Sequence, residues 1–221
     1  MTACRAYEGA KRVLDVVVAA VCLVLATPVI LAVAVAIMVT MGRPVLFRQP
    51  RPGRHARLFD LVKFRSMTVP GHTDGPATDA ARLTPLGAWL RATSLDELPT
   101  LWNVLRGDMS LVGPRPLLPS YLDRYTPQQF RRHEVRPGVT GLQQVNGRNA
   151  LTWDRRFAYD VWYVDNRGFL LDLGILARTV VVVLRREGIT APGSVTAHEF
   201  RGSRAPAVVG AGVGAGEGRT A

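Results

Sequence analysis

The stretch VVVAAVCLVLATPVILAVAVAIMVTM, residues 16–41, carries no charged side chain and decides how this chain is organised. An apolar helix of about 20 residues is long enough to cross the hydrocarbon core of a bilayer, which is about 30 Å thick. The run is too long for the apolar part of a signal peptide, and no small-residue cleavage site ends it, so we expect it to stay in the mature protein. The sequence therefore predicts an N-terminal helix embedded in a membrane.

Thr27-Pro28 lies near the middle of this run. Because proline removes one helical hydrogen bond and clashes with the preceding turn, the pair predicts a kink, and the threonine hydroxyl can bond a carbonyl that the kink frees. Basic residues flank both ends of the run, whereas a crossing helix normally has its Lys and Arg excess on the cytoplasmic side only. These residues are Arg5, Lys11 and Arg12 on one side and Arg43, Arg48, Arg51 and Arg54 on the other. A re-entrant hairpin and a single crossing with a tolerated proline are both compatible with this pattern.

The chain of 221 residues has a net charge of +11, from 28 Lys and Arg against 17 Asp and Glu. Such an excess favours an anionic partner, which includes nucleic acid, anionic lipid headgroups and phosphorylated small molecules. We expect no nucleic acid partner, because the basic residues are not interleaved with aromatic residues that would stack on bases. Cys22 lies inside the apolar run, so a disulfide with Cys4 is not expected, and the polar part of the chain belongs to a reducing compartment.

Beyond the membrane segment, the pattern predicts a small domain of mixed α/β class that is mostly helical. Its expected elements are short strands over 44–68, a surface loop over 70–80, a helical stretch over 83–105, a charged surface helix over 121–135 and a helix over 153–164. The stretch 169–184 is too short to span a bilayer, and it fits equally a helix lying in the membrane interface or an internal core helix. The Gly- and Ala-rich tail, residues 201–221, is expected to be disordered.

Asp96-Glu97 is the first candidate for chemistry. One interpretation is structural, because Ser94-x-x-Glu97 has the spacing of a helix capping box and Asp96 would complement the helix dipole. Pro99 weakens that interpretation, because it falls early in the same helix and removes a hydrogen bond, which makes the helix start irregular. At an irregular terminus the two carboxylates can flank one metal ion or one phosphate, and a carboxylate near Arg91 can act as a nucleophile in phosphoryl transfer.

Three further stretches carry candidate phosphate ligands. Pro114-Arg115-Pro116 is a rigid loop that presents one guanidinium, which pairs with phosphate bidentately; the alternative is a tight turn with an exposed arginine. Gly147-Arg148-Asn149 has the same ambiguity. Lys63 and Arg65 are expected on one face of a strand, where they would bind phosphate or simply be solvated. The sequence has no Ser/His/Asp triad, Gly-rich phosphate loop or Cys/His metal signature, so a bound metal would take oxygen ligands, as Mg²⁺ does.

Taken in chain order, these signals resemble the monotopic phosphoglycosyl transferases of bacteria, the small sugar transferases that initiate polyprenyl-linked glycan assembly. The resemblance covers roughly residues 9–200. Besides Thr27-Pro28 and the stretch 91–99, the matching motifs are KRVLD at 11–15, FRQPRPG at 47–53, KFRSM at 63–67, LWNVLRGDMS at 101–110, VGPRP at 112–116, RPGVTG at 136–141 and QVNGR at 144–148.

The resemblance implies an enzyme that transfers a sugar-1-phosphate from a UDP-sugar to polyprenyl (undecaprenyl) phosphate and releases UMP by a ping-pong mechanism. In that family the aspartate of the acidic pair, here Asp96, is the covalent nucleophile, Glu97 is its catalytic partner, and Mg²⁺ binds beside both. The loop 114–116 borders the nucleotide, and Arg91 and Arg148 correspond to phosphate-binding arginines.

The family's membrane helix is re-entrant, broken at a Ser-Pro pair, with both ends in the cytoplasm; here Thr27 replaces the serine. We therefore expect a basic lead-in (1–12), a re-entrant membrane helix (13–42) and a catalytic domain (43–200) with interfacial amphipathic helices. The catalytic domain would lie on the cytoplasmic face of the inner membrane, in contact with its lipids. The competing hypothesis is a bitopic membrane anchor with a basic cytoplasmic binding domain. No pattern in the sequence indicates an oligomeric state.

Overall fold

The computed structural model describes residues 2–68, 79–185 and 199–202, with the backbone alone for residues 2–6, 79, 80 and Arg148. The helices are α1 Thr2–Met41, α2 Asp79–Arg82, α3 Pro85–Ala92, α4 Leu101–Arg106, α5 Pro127–Phe130, α6 Leu142–Val145, α7 Trp153–Asn166 and α8 Phe169–Arg185. The strands are β1 Leu46–Pro52, β2 Leu58–Phe64, β3 Ser110–Val112 and β4 Gly138–Thr140. Short 3₁₀ helices cover Arg54–Ala56, Leu95–Thr100, Pro119–Arg124, Arg131–Glu134 and Arg148–Ala150. The fold has the predicted mixed, mostly helical class; most of the predicted loop 70–80 and of the tail 201–221 lies outside the described residues.

Helix α1 runs without interruption through Thr27 and Pro28, so it is not divided in two there, and the basic lead-in is part of it. The Thr27 hydroxyl donates to the carbonyl of Leu23 at 2.9 Å. Pro28 has no N–H, so the carbonyl that it leaves without its usual helical partner is that of Val24. The Thr27 hydroxyl bonds the carbonyl one residue earlier and therefore does not satisfy the freed one. Threonine in a helix reaches the carbonyl four residues before it, which explains the position.

One face of α1 packs against the rest of the protein and the other is exposed. Ala19 and Ile37 are fully buried, whereas Val24, Leu25 and Val39 are 71, 73 and 80% exposed. The described part of the chain contains one helix that is long and apolar enough to cross a membrane, and it is α1. An apolar surface of this extent is unusual for a protein surrounded by water, so α1 indicates membrane association.

Both ends of α1 are held by the same domain. Near its start, the Nη atoms of Arg12 donate to the carbonyls of Val104 and Leu105 at 2.6 and 2.9 Å. At the far end, Arg65 Nη2 donates to the carbonyl of Met41 at 2.6 Å, where the last helical carbonyls lack partners within the helix. Strand β2 and helix α4 contribute to one hydrophobic core. The two ends of α1 therefore lie against one body.

The strands predicted over 44–68 are confirmed as the antiparallel hairpin β1–β2. The other edge of β2 is bound by side chains: the N–H of Val62 donates to Asn103 Oδ1 at 3.0 Å, and its carbonyl accepts from Thr100 Oγ1 at 2.9 Å. These two bonds satisfy both main-chain groups of Val62. They also hold the stretch 95–106 against β2, the strand that carries Lys63.

Strands β3 and β4 pair in parallel, with Ser110 opposite Gly138. A Cβ at Gly138 would lie 2.1 Å from the nitrogen of Gly113, so only glycine lets the two backbones approach this closely. At this distance the N–H of Gly138 donates to the carbonyl of Pro114 at 3.0 Å. The pairing thus holds the backbone that leads into the loop 114–116.

The stretch 121–135 is not the charged surface helix that its composition predicts. Pro127 forces Thr126 into an extended conformation, with ψ of 159°, and so divides the stretch into short turns. Arg132 and His133 are 2 and 5% exposed, so part of the charge faces the interior. The prediction was wrong for two reasons: it overlooked the local break at Pro127, and the burial of Arg132 depends on packing against α7.

Helices α7 and α8 confirm the helices predicted over 153–164 and 169–184. On α8, Asp172 is buried and accepts from Lys11 Nζ at 2.7 Å and from the Tyr163 hydroxyl at 2.8 Å. The opposite face is apolar and exposed, with Leu170 at 87% and Leu184 at 77%. The helix therefore has one face in the core and an apolar face directed outward, as an interfacial helix requires.

Candidate active site

Asp96 and Glu97 lie in the 3₁₀ helix that directly follows the turn after α3. Ser94 precedes them in the left-handed region with φ of 57°, which is uncommon for a residue other than glycine and turns the chain sharply. The capping-box interpretation is wrong: the Ser94 hydroxyl makes no cap hydrogen bond, and the Glu97 side chain binds cations instead. The irregular helix start expected from Pro99 is confirmed, because this segment is 3₁₀ rather than α-helical.

Two cations bind Glu97 through the same oxygen. Lys63 Nζ lies 2.6 Å and Arg115 Nη2 lies 2.8 Å from Glu97 Oε1. Lys63 comes from β2 and Arg115 from the loop after β3, so three distant segments meet at this point. The Lys63, Glu97 and Arg115 side chains are 18, 19 and 40% exposed, which leaves the cluster open to a ligand.

The two carboxylates have different electrostatic surroundings. The described residues give Asp96 no hydrogen-bond or ion-pair partner. Burial and the negative charge of Glu97 raise the pKa of Asp96 to about 6, although Lys63, Arg115 and Arg91 act in the opposite direction. Burial alone would also raise the pKa of Glu97, but Arg115 and Lys63 lower it well below its usual range. The two cations thus favour the ionised form of Glu97, whereas the pKa of Asp96 is raised by burial and by its acidic neighbour.

Arg91, in the last turn of α3, lies close enough to Asp96 to lower its pKa. Its Nε donates to Ser66 Oγ at 2.9 Å. Gly87, one turn earlier, makes this packing possible, since a Cβ there would lie 1.8 Å from the carbonyl oxygen of Ser66. Helix α3 therefore rests directly on the segment after β2 and brings Arg91 to the carboxylate pair.

Behind Arg115 lies a buried ion pair that the sequence analysis missed. Arg132 Nη2 donates to the main-chain carbonyl of Arg115 at 2.6 Å and to Asp160 Oδ2 at 2.7 Å. The side chains of Arg132 and Asp160 are 1 and 2% exposed. One signal was present in the sequence: helical spacing places Asp160 on the same face of α7 as Phe157 and Val164, which are buried apolar residues.

Arg51 is a further basic residue beside the loop 114–116. Its Nη1 donates to the carbonyl of Pro116 at 3.5 Å, and its Nη2 donates to Gln49 Oε1 at 2.5 Å. Burial and the positive charge of Arg115 lower the pKa of Arg51 to about 10. The two guanidiniums repel each other, and an anionic ligand beside Arg115 would relieve that repulsion.

Arg65 and Arg148 complete the set of candidates from the sequence. The structure does not bring Arg65 to Glu97, because its guanidinium binds the last carbonyls of α1 and of the turn that follows. Since β2 ends at Phe64, the strand alternation that predicted a shared face with Lys63 does not extend to Arg65. Arg148 begins a 3₁₀ helix, and its side chain lies outside the described residues.

The acidic pair has the donor chemistry of a magnesium site. Among the described residues, no group of three or more His, Cys, Asp or Glu side chains could hold a metal ion. Mg²⁺ is usually bound by one or two carboxylates, with substrate phosphates and water as the remaining ligands. The carboxylates of Asp96 and Glu97 fit that pattern and do not resemble an all-protein structural site.

The chain belongs to the bacterial sugar transferase family, whose model matches residues 6–186. This places it among the enzymes of the undecaprenyl-phosphate sugar-phosphate transferase family, as the sequence motifs predict. It is 52% identical over 195 residues to the uncharacterized sugar transferase EpsL of Bacillus subtilis, covering 87% of this chain and 96% of EpsL. Identity is 43% over 192 residues to the UDP-glucose:undecaprenyl-phosphate glucose-1-phosphate transferase of Caulobacter vibrioides, covering 81% of this chain and 71% of that protein. It is 39% over 203 residues to the undecaprenyl-phosphate galactose phosphotransferase of Salmonella typhimurium, of which the chain spans 42%.

Proposed function

We propose that this protein transfers a sugar-1-phosphate from a UDP-sugar to undecaprenyl phosphate through a covalent intermediate on Asp96. The observation that carries the proposal is the contrast within the acidic pair. Glu97 is bound by Lys63 and Arg115, whereas Asp96 has no partner among the described residues. The names of the Caulobacter and Salmonella relatives supply the substrate class.

In the first step, a carboxylate oxygen of Asp96 attacks the β-phosphorus of the UDP-sugar. The bond between that phosphorus and the bridging oxygen to the α-phosphate breaks, and UMP leaves with the bonding electron pair. In the second step, a phosphate oxygen of undecaprenyl phosphate attacks the same phosphorus. The Asp96 carboxylate is released, and the product is undecaprenyl diphosphate-sugar.

The neighbouring cations stabilise the charge that develops on the transferring phosphoryl group. Lys63, Arg115 and Arg91 surround the pair, and such fixed positive charge supplies much of the catalysis in phosphoryl transfer. A pKa of about 6 leaves Asp96 largely ionised at neutral pH, as a nucleophile requires. Asp96 and Glu97 would hold Mg²⁺, which when bound neutralises charge on the phosphate oxygens.

We also propose that α1 is re-entrant and that the catalytic domain lies on the cytoplasmic face of the inner membrane. Support comes from the two ends of α1, since Arg12 and Arg65 attach them to the same domain. A helix that crosses the bilayer would place its ends on opposite sides, about 30 Å of hydrocarbon apart. The exposed apolar face of α8 would lie in the interface, where it gives a lipid-bound acceptor access to the domain.

The test uses the full chain in detergent with Mg²⁺, undecaprenyl phosphate and a panel of UDP-sugars, with nucleotide products measured separately. We expect UMP from a preferred donor; UDP as the product would contradict transfer of a phosphosugar. Asp96→Asn, with deamidation excluded by intact mass, should lower turnover by at least about 10³-fold. Asp123→Asn, an exposed aspartate, is the matched control and should retain full activity.

Incubation with the donor alone tests the covalent step. Intact-protein mass spectrometry after an acid quench should show one added sugar phosphate on the wild-type chain and none on Asp96→Asn. Release of UMP under these conditions without any adduct on the protein would refute the covalent mechanism.

A further inference from the structure

A cavity lies away from the acidic pair. It is formed by residues 7–15 of α1, the 3₁₀ helix 54–56, strand β3, the segment 135–136, helix α7 and the turn that follows α7. Its charged lining consists of Lys11, Arg12, Arg54, Arg136 and Arg167 together with Glu8 and Asp15. None of the residues that surround Asp96 contributes to it, so the proposed reaction does not account for this cavity.

Two of the cations have neutral partners. Both Nη atoms of Arg12 donate to main-chain carbonyls. Arg136 Nε donates to the carbonyl of Gly107 at 2.9 Å. Hydrogen bonds to carbonyls orient these guanidiniums, and neither of them forms a salt bridge with a carboxylate among the described residues.

The acids of the cavity are already committed. Asp15 accepts from Ser110 Oγ at 2.7 Å and from the N–H of Leu111 at 3.1 Å. Lys11 is neutralised by Asp172 outside the lining, at 2.7 Å.

Glu8 is shared between two arginines. Its carboxylate lies 3.3 Å from Arg54 and 3.5 Å from Arg167. The lining thus holds five positive side chains against two negative ones, and one of the five, Lys11, is paired with Asp172 outside it. Burial lowers the pKa of Arg136 and the charges of Arg12 and Arg54 lower it further, although Glu8 and Asp15 act in the opposite direction.

The cavity lies where the exposed apolar surface begins. On α1, Val13 directly follows Arg12 and is 65% exposed, and Val17 is 54% exposed. On α8, Leu170 follows Arg167 by three residues and is 87% exposed. An anion bound here would have apolar helix surface within one turn on both sides, which matches a phosphate that carries acyl chains.

We infer that this cavity binds the phosphodiester headgroup of an anionic membrane phospholipid. Arg136 and Arg54 contact the phosphate, and the acyl chains lie along the exposed faces of α1 and α8. The site holds the N-terminal part of α1 at the membrane surface. It does not depend on the chemistry at Asp96, so the proposed function and this inference can fail separately.

The test is a lipid titration of the full chain in a neutral detergent, followed by its thermal unfolding midpoint. Phosphatidylglycerol should raise the midpoint in a saturable way, whereas phosphatidylcholine and inorganic phosphate at equal concentration should not. If phosphatidylcholine matched phosphatidylglycerol, headgroup charge would have no role. If inorganic phosphate did so, the cavity would be a site for free anions and the lipid assignment would be overturned.

Three variants assign the effect to the cavity. Arg136→Gln and Arg54→Gln should each weaken the apparent affinity for phosphatidylglycerol about tenfold, as expected for one charge-assisted hydrogen bond. Glu8→Gln should strengthen it, because it removes the acid that competes for Arg54 and Arg167.

If these ion pairs had a purely structural role, Glu8→Gln and Arg54→Gln would instead change the apparent affinity for phosphatidylglycerol in the same direction. Arg48→Gln, which removes an exposed arginine on β1, is the matched control for loss of one positive charge. If Arg54→Gln and Arg136→Gln titrated like Arg48→Gln, the inference would be refuted. Arg54 is one-third exposed, so its variant keeps the test decisive should Arg136→Gln fail to fold.

Discussion

The ion pair between Arg132 and Asp160 allows a quantitative test of how the site is built. Arg132→Met leaves Asp160 buried without its two hydrogen bonds, at 2.7 and 3.0 Å. Breaking a buried ion pair on one side costs about 3–5 kcal/mol, because the remaining charge stays in the interior. For a chain of this size 1 kcal/mol shifts the unfolding midpoint by about 2–4 °C, so we expect Arg132→Met to unfold about 6–20 °C lower.

Removing both partners separates stability from positioning. In Arg132→Met/Asp160→Leu no unpaired charge remains, and we expect most of the lost midpoint to return. The carbonyl of Arg115 still lacks its donor, so the guanidinium that binds Glu97 is held less firmly. We therefore expect kcat/KM for the UDP-sugar to stay about tenfold below wild type in the stable double variant.

The pH dependence of the stability of Arg132→Met provides a second test. Burial raises the pKa of Asp160 even though Arg132 opposes that effect, and loss of Arg132 raises it further. The folded variant then holds a proton that the unfolded chain releases, so its stability falls as the pH rises between the two pKa values. Scanning fluorimetry and UMP release in one buffer series measure both effects. An Arg132→Met midpoint within about 2 °C of wild type, or a double variant with wild-type kcat/KM, would refute the reasoning.

Three further predictions concern the packing of a glycine, the protonation of a histidine and the membrane topology of α1. Gly87→Ala should lower both the midpoint and UMP release, because its Cβ would lie 1.8 Å from the Ser66 carbonyl oxygen, whereas Gly174→Ala on α8 meets nothing within 4 Å and should be tolerated. Burial and the charge of Arg132 lower the pKa of His133 to about 4, so on acidification the unfolded chain protonates this histidine before the folded protein does. The free energy of unfolding should therefore fall by up to about 1.4 kcal/mol per pH unit as the pH drops from about 6.5 toward 4. Comparison with His133→Gln isolates that slope. Single cysteines at positions 5 and 48, in a chain without native cysteines, should both resist an impermeant reagent in intact cells; labelling of one alone would favour the bitopic anchor.

Several properties could be read from the sequence because they depend on neighbours along the chain. The uncharged run 16–41 must be shielded from water however the remaining chain folds, and it forms most of α1. Short strands and turns were expected over 44–68, where β1 and β2 lie; their antiparallel pairing came from the structure. The irregular start at Asp96-Glu97 followed from Pro99 alone. The ordered motifs were sufficient to indicate the family.

Only the tertiary structure decided which charged groups meet. Lys63 and Arg115 reach Glu97 from positions 34 and 18 residues away, and a single sequence carries no local pattern for contacts at that separation. Arg65 is a basic residue two positions after Lys63 and was predicted on the same strand face. Its guanidinium instead binds the last carbonyl of α1, because β2 stops one residue before it. Arg132 looked solvated until packing against α7 buried it beside Asp160. Periodicity records which face is apolar, whereas the partner of a buried charge is chosen by how the elements pack.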